Sequence, residues 1–119
     1  MKNEEANRIK PITLTDTETG EQYILEFTAE SATFAQQKGF DINEWETKPM
    51  VVFPQLFMYS FRANHRSVSP YKIQKLWDEL SKDGVPDGVL ERLMELYNKP
   101  IACMLLEGDG KNSKVTVEL

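Results

Sequence analysis

The chain has very few of the residues from which catalytic and metal sites are built. It contains one cysteine and one histidine in 119 residues. A lone Cys103 forms no intrachain disulfide and cannot supply a thiolate metal site by itself. Because its neighbours in Ile-Ala-Cys-Met-Leu-Leu are apolar, we expect a buried, inert thiol. That burial also disfavours a nucleophilic pair with His65, which we expect to hydrogen-bond a carbonyl at a helix end.

Long apolar runs and an excess of positive charge are also missing. No stretch approaches the ~18 apolar residues of a membrane span, and the N-terminal MKNEEANRIK has no apolar signal-peptide region. Acidic residues outnumber basic ones by 19 to 14, which gives a net charge of −5. Nucleic acids and anionic membranes attract surfaces rich in Lys and Arg. We therefore predict a cytosolic protein that binds neither nucleic acid nor membrane.

The residues that are present are typical of a small folded domain, with 40% hydrophobic and 28% charged side chains. Alternating apolar residues in Ile12–Thr15 and in 22–27 flank a turn that contains Gly20, which predicts a β-hairpin. Helical periodicity and capping residues predict the later elements. These are helices from Thr28 to about Lys38, a short one from Asp41, a central one that has Pro54 in its first turn and runs to about His65, one from Ser69-Pro70 to Asp83-Gly84, and a last one from Pro86.

The fold class predicted is α+β, a mostly α-helical single domain with an N-terminal β-hairpin. We expect residues 1–8 to be a flexible N-terminus, 9–106 the globular domain and 107–119 a C-terminal tail. At Pro100 the last helix either stops near Asn98 or kinks and continues through Leu105, with Gly108-Asp109-Gly110 beyond it. In the tail, alternating Val115, Val117 and Leu119 indicate either an edge strand or a free tail that pairs with something else.

No pattern of catalytic chemistry accompanies these elements. Residues 108–112 only superficially resemble a phosphate loop, because Leu105 and Asn112 stand where that motif needs Gly and Ser/Thr. Glu91 and Glu95 lie one helical turn apart, a spacing more typical of a solvated helix face than of acid–base catalysis. We therefore predict no catalytic, cofactor-binding or metal-binding residues, and a protein that is not an enzyme.

The most informative stretch is MVVFPQLFMYSFRANHR, residues 50–66, whose apolar side chains run nearly all the way round a helix. We expect one face, which is formed by Phe53, Leu56, Phe57, Ser60, Phe61 and Asn64, to lie in the core. For the other face two alternatives remain open, burial under flanking helices or contact with a partner or a second copy. Its residues are Val51, Val52, Met58 and Tyr59.

A local basic cluster follows in this acidic chain. Arg62 and Arg66 are four residues apart, and Lys72 and Lys75 come next. Such a cluster is either a solvated surface opposite an acidic neighbour or a docking patch for an acidic partner or another copy. Arg62 and Arg66 therefore join the candidate partner-binding residues.

The order of these features resembles the tail assembly chaperones of long-tailed, siphovirus-type bacteriophages and their prophages. The resemblance covers about Ile12 to Leu106 and depends on packing motifs. These motifs are Tyr23-Ile-Leu-Glu-Phe-Thr-x-Glu-Ser31, Gly39-Phe40-Asp41, Lys48-Pro49, Phe53-Pro-x-Leu-Phe-x-Tyr-x-Phe61 with Asn64-His65, and Leu90-x-x-Leu-Met-x-Leu-Tyr-Asn98.

This resemblance implies a function in virion morphogenesis through protein–protein interaction. Such chaperones bind the tape measure protein, keep that long helical chain soluble in the host bacterial cytoplasm while the tail tube polymerises, and are absent from the mature virion. Several form homo-oligomers, and many have a longer form made by ribosomal frameshifting. No catalytic residue and no cofactor is implied.

Two other classes of protein remain as alternatives. A structural tail or head–tail connector subunit would need strong strands for ring assembly, and only two are evident. A small DNA-binding protein is suggested by two helices joined by a Gly turn in residues 69–96. Glu91 and Glu95 on the second of these helices are poor residues for meeting phosphate.

Overall fold

Two strands and four helices make up the part of the chain that the structure, a computed structural model, describes: residues 9–106, 114–115 and 117–119. The α+β class predicted from the sequence is confirmed. The elements are β1 (Ile12–Thr15), β2 (Gln22–Leu25), α1 (Ala29–Gln37), a short 3₁₀ helix (Ile42–Glu44), α2 (Pro49–Tyr59), α3 (Pro70–Ser81) and α4 (Val89–Leu105).

The hairpin forms where the alternation predicts it. β1 and β2 are antiparallel, with Ile12 opposite Leu25 and Leu14 opposite Tyr23. These four apolar side chains share the inner face, and Tyr23 and Leu25 are buried there. Gly20 has a positive φ of 78° in the connecting turn, a conformation that glycine adopts without the steric cost of a Cβ.

Local capping signals set the bounds of α1 and α3. The Thr28 amide donates to Ser31 Oγ at 2.9 Å and the Ser31 amide donates to Thr28 Oγ1 at 3.2 Å, which is a reciprocal capping box. Gly39 follows α1 with φ of 92°. Ser69 caps α3 by accepting from the Lys72 amide at 3.1 Å, with Pro70 at the first helical position. The predicted ends of both helices are confirmed.

The predicted bounds of the central helix were wrong at both ends. α2 begins at Pro49, so Pro54 lies in its interior and not in its first turn, and α2 ends at Tyr59. Pro49 suits the first helical position because no intrahelical partner is needed for its missing N–H. At the other end the Ser60 carbonyl accepts from the Glu26 amide at 3.1 Å. The next helical bond is absent as well, because the Phe61 amide donates to the Met58 carbonyl at 3.2 Å, and turns carry the chain on to His65.

The last helix begins later than its sequence indicates and continues past Pro100. α4 begins at Val89, after Gly88 with φ of 85°, and not at Pro86. Of the two alternatives at Pro100, the structure has the one in which the helix continues to Leu105. Cys103 is exposed in this final segment, so the predicted burial of its thiol was wrong. Ile101 packs against the core, but the last turn of α4 extends beyond it.

The core lies between the inner face of the hairpin and the helices, with α2 at its centre. Phe57 and Phe61 have ring centroids 5.2 Å apart, and Trp77 of α3 is 5.2 Å from Phe57. Tyr97 of α4 packs edge-on against Phe27 at 5.2 Å. The largest fully buried hydrophobic side chains are Leu25, Leu56, Phe57, Phe61, Leu93, Leu96 and Tyr97.

Several predictions fall on residues outside the described ones. The flexible N-terminus at 1–8, the glycines at 108 and 110 and the loop at 108–112 all lie there. The described residues of the tail, 114–115 and 117–119, form neither helix nor strand.

Candidate partner-binding surface

The four residues on α2 that were predicted to bind a partner differ in how far they are buried. Val52 is buried, with 3% exposure, and belongs to the core, so burial is the alternative that holds for it. Met58 and Tyr59 are half-buried and pack against the core. The Tyr59 ring lies 5.6 Å from that of Phe40, and burial raises the pKa of its hydroxyl. Val51, 52% exposed, is the member of this set that is open to a partner.

Exposed apolar side chains gather around the start of α2. Met50 is 86% exposed beside Val51, and Trp45 is partly exposed with its ring 6.3 Å from that of Phe53. We call Trp45, Met50 and Val51 the apolar patch. Met50 is not among the residues that were predicted from the sequence to bind a partner. A helix that begins at Pro49 puts Met50 in its first turn, beyond the packed part of α2.

Arg62 and Arg66 converge on a single acidic side chain. Arg62 Nη2 lies 2.8 Å and Arg62 Nε 3.1 Å from Glu30 Oε2, while Arg66 Nη2 lies 3.2 Å from Glu30 Oε1. The Arg62 guanidinium also lies 3.6 Å from the ring centroid of Phe34. Hydrogen bonds from Arg62 lower the pKa of the Glu30 carboxyl. The arginines thus face an acidic neighbour, and the cluster keeps an excess of positive charge.

The two lysines of the predicted basic cluster lie elsewhere. Lys72 Nζ donates to Asp16 Oδ2 in the hairpin turn, and Lys75 Nζ lies 5.2 Å from the ring centroid of Tyr71. An open groove with a volume of about 750 Å³ separates this end of the hairpin from α3. Its lining includes Leu14, Asp16, Tyr71, Lys75, Leu76 and Glu79.

The role of His65 differs from the one predicted. The amide of Ile24 in β2 donates to His65 Nε2 at 2.8 Å, so the ring accepts a hydrogen bond and does not donate one to a carbonyl at the helix end. Asn64 Nδ2 donates to the Ile24 carbonyl at 3.1 Å and to Glu26 Oε2 at 2.8 Å. His65 and Asn64 together cover the outer edge of β2.

The ion pair between Asp16 and Lys72 gives the folded protein an acid-sensitive contact. The hydrogen bond from Lys72 is the main reason that the pKa of Asp16 lies below its usual 3.8. A carboxyl with a depressed pKa stabilises the fold above its unfolded-state pKa, and this contribution is lost as pH falls through the folded-state value. We therefore expect Asp16→Asn to lose less stability than the wild type between about pH 5 and pH 2.

Urea unfolding midpoints at a series of pH values measure this difference. Glu18→Gln is the matched control, because it removes a carboxylate from the same turn and leaves the Lys72 contact intact. Its midpoint should fall with acid as steeply as that of the wild type. Equal acid sensitivity of Asp16→Asn and the wild type would show that the ion pair does not contribute to stability.

The described part of the chain offers no evident site for a metal and no membrane span. Among those residues no group of three or more His, Cys, Asp and Glu side chains is placed to hold a metal ion. None of the helices within them is long and apolar enough to cross a bilayer.

Comparison with known proteins identifies one family. The chain matches the family described as Domain of unknown function (DUF5055) over residues 3–119. No curated protein and no solved structure matches it. Because the match covers nearly the whole sequence, this chain belongs to the DUF5055 family.

Proposed function

We propose that this protein is a non-catalytic tail assembly chaperone of a long-tailed bacteriophage or prophage. It binds the tape measure protein and keeps it soluble in the host bacterial cytoplasm during tail morphogenesis. It associates with further copies of itself and is absent from the mature virion. This partner and this pathway are the ones that the resemblance to tail assembly chaperones implies.

The apolar patch is the observation that carries the proposal. Met50 and Val51 are adjacent, exposed and apolar at the N-terminal end of a helix whose residues Val52, Leu56 and Phe57 lie in the core. Exposed apolar side chains on a rigid element suit the apolar face of an amphipathic helix, the surface that makes a long helical client aggregate. Because α2 is held by the core, the patch is presented without an ordering cost in the chaperone.

The distribution of charge supports the same function. The chain carries −5 overall, and Glu91 and Glu95 are exposed on α4. Net charge of one sign keeps a protein and its complexes dispersed. A chaperone that covers the apolar face of a client while presenting carboxylates to solvent would keep that client in solution.

Co-expression with the long helical protein encoded just downstream tests the proposal. We expect that client to be insoluble alone and to co-purify in soluble form with the chaperone. The proposal would be overturned if the client is soluble when expressed alone and does not co-purify with this protein. Mass spectrometry of purified virions addresses the alternative, since a structural tail or connector subunit would be present there and a chaperone would not.

A charge placed on the apolar patch should weaken client capture. Burying a methionine side chain contributes about 1.5–3 kcal/mol, so Met50→Lys is expected to reduce the client recovered by about tenfold or more. The side chain is 86% exposed, so the fold should be unaffected. Densitometry of the client after affinity capture measures the loss.

Asn98→Lys is the matched control for this experiment. It adds the same charge to an exposed position on a different helix, α4. Full recovery with Asn98→Lys and reduced recovery with Met50→Lys would locate the client on the patch. Full recovery with both variants would mean that the client binds elsewhere.

A further inference from the structure

The outer edges of β1 and β2 differ in whether their backbone N–H and C=O groups have hydrogen-bonding partners. Along β2, the Ile24 amide donates to His65 and the Ile24 carbonyl accepts from Asn64. Just beyond β2, the Glu26 amide donates to the Ser60 carbonyl. The segment that follows α2 therefore closes this edge against a further strand.

The register shows which groups of β1 face outward. Thr13 lies opposite Ile24, whose N–H and C=O point away from β1 toward Asn64 and His65. In an antiparallel ladder both members of such a pair point their backbone groups outward. The outward groups of Thr13, and of Thr15 two residues on, meet no hydrogen-bonding partner among the described residues. An edge of this kind is a template for another strand.

The groove beside α3 lies next to this open edge. Leu14 and Thr15 line it from the hairpin, and Leu76 and Leu80 line it from α3. These three leucines are only half-buried. Because side chains alternate across a strand, a strand added to β1 would direct every second side chain toward the inner face of the hairpin. Apolar side chains at those positions would complete the burial of the leucines.

The chain itself contains a segment with the required pattern. Lys114 to Leu119 alternates polar and apolar residues, with Val115, Val117 and Leu119 on one face of any strand it forms. Val117 is 77% exposed and Leu119 is fully exposed on the protomer. The sheet formed by the described residues contains only β1 and β2, and residues 114–115 and 117–119 are not part of it.

We propose that the outer edge of β1 and its groove bind the C-terminal segment, residues 114–119, of a second copy of this chain. Two different surfaces meet in such a contact, so the assembly is head-to-tail and extends into a ring or an open filament. This inference deepens the self-association part of the proposed function. It involves neither the client nor the apolar patch.

Complementation between two variants tests this contact. Thr13→Pro removes an outward N–H from β1 and keeps the ladder to β2, a change that edge strands tolerate. Val117→Ser removes one apolar side chain from the binding segment. We expect each variant to need at least about tenfold higher concentration than wild type to associate. Mixed together, they should form one-to-one dimers, because one keeps an intact segment and the other an intact edge.

Sedimentation velocity over a range of concentrations measures these states. Thr13→Val keeps the outward N–H and Glu118→Ser changes the opposite face of the segment, so both controls should associate like the wild type. A wild type that stays monomeric throughout the range would overturn the proposal. So would association of Val117→Ser equal to that of the wild type, or a mixture that forms no dimers.

Hydrogen exchange at single amides locates the contact and separates pairing between copies from pairing within one copy. Protection of the Thr13 and Thr15 amides should rise with protein concentration. The Leu14 amide, which faces β2 in the ladder, should be protected at all concentrations. Protection of Thr13 that does not depend on concentration would mean pairing within one copy and would overturn the proposal. Because no client is present, none of these outcomes affects the test of client binding.

Discussion

Replacing Phe57 with alanine is expected to lower the free energy of unfolding by about 3–5 kcal/mol, because it removes a large side chain from a core that cannot refill the space. Phe57 is fully buried in α2. Its ring is 5.2 Å from the rings of both Phe61 and Trp77. Urea unfolding followed by tryptophan fluorescence measures the loss as a lower midpoint.

Phe57→Leu separates the loss of volume from any other effect of changing this position. Leucine keeps most of the apolar surface, so its cost should be roughly 1–2 kcal/mol. A loss for alanine no greater than that for leucine would show that the rings around Phe57 close the cavity. If the dependence of the free energy of unfolding on urea concentration changes together with the unfolding midpoint, the substitution also affects the denatured state.

The elements predicted well from the sequence are those whose signals are local. Ile12–Thr15 alternates with period 2, and the residues that fix the ends of α1 and α3 are caps a few positions away from the groups they bind, such as Thr28 and Ser69. A cap needs no information about the rest of the fold. These bounds therefore follow from short stretches of sequence.

The central helix was predicted poorly because its own residues give conflicting local signals. Apolar residues surround α2, so no helical period marks its start, and Pro49 and Pro54 are both acceptable near a helix N-terminus. Just beyond its end, the Ser60 carbonyl accepts a hydrogen bond from the Glu26 amide. That contact joins α2 to the chain following β2, across many positions, and no local pattern encodes it.

The candidate site depends on the same kind of long-range contact. Arg62 meets Glu30 across 32 positions, and His65 meets Ile24 across 41. The sequence shows a basic cluster and a single histidine, but not which acidic residue or amide each one contacts. The sequence also does not show which side chains are exposed. Val51 and Val52 are identical and adjacent, and only packing determines that Val51 is exposed and Val52 is buried.

These contacts explain why one edge of the hairpin is closed and the other open. The segment after α2 uses Ser60, Asn64 and His65 to satisfy backbone groups of β2 and the residue that follows it. β1 has no equivalent neighbour among the described residues. Arg92 of α4 donates to the Lys10 carbonyl before β1, and Lys72 of α3 donates to the Asp16 carboxylate after it. The outer edge of β1 is therefore open, whereas the outer edge of β2 is bound to the segment that follows α2.

Replacing Tyr97 with alanine should also cost about 3–5 kcal/mol in the free energy of unfolding. Tyr97 is buried in α4, where its ring lies 5.2 Å from that of Phe27 and 5.3 Å from that of Phe40. Its loss would therefore remove the ring that joins α4 to the segments on both sides of α1. Urea unfolding measures this loss as it does for Phe57.

The hydroxyl of Tyr97 contributes separately, because Gln36 Nε2 donates to it at 3.0 Å. Tyr97→Phe keeps the ring contacts and removes this bond, so its cost should be near 1 kcal/mol. A double-mutant cycle with Gln36→Ala isolates the bond, and a coupling free energy of about 0.5–1.5 kcal/mol is expected. A coupling near zero would mean that water replaces the lost partner. A full loss of 3–5 kcal/mol for Tyr97→Phe would instead place the main contribution of this residue in its hydroxyl.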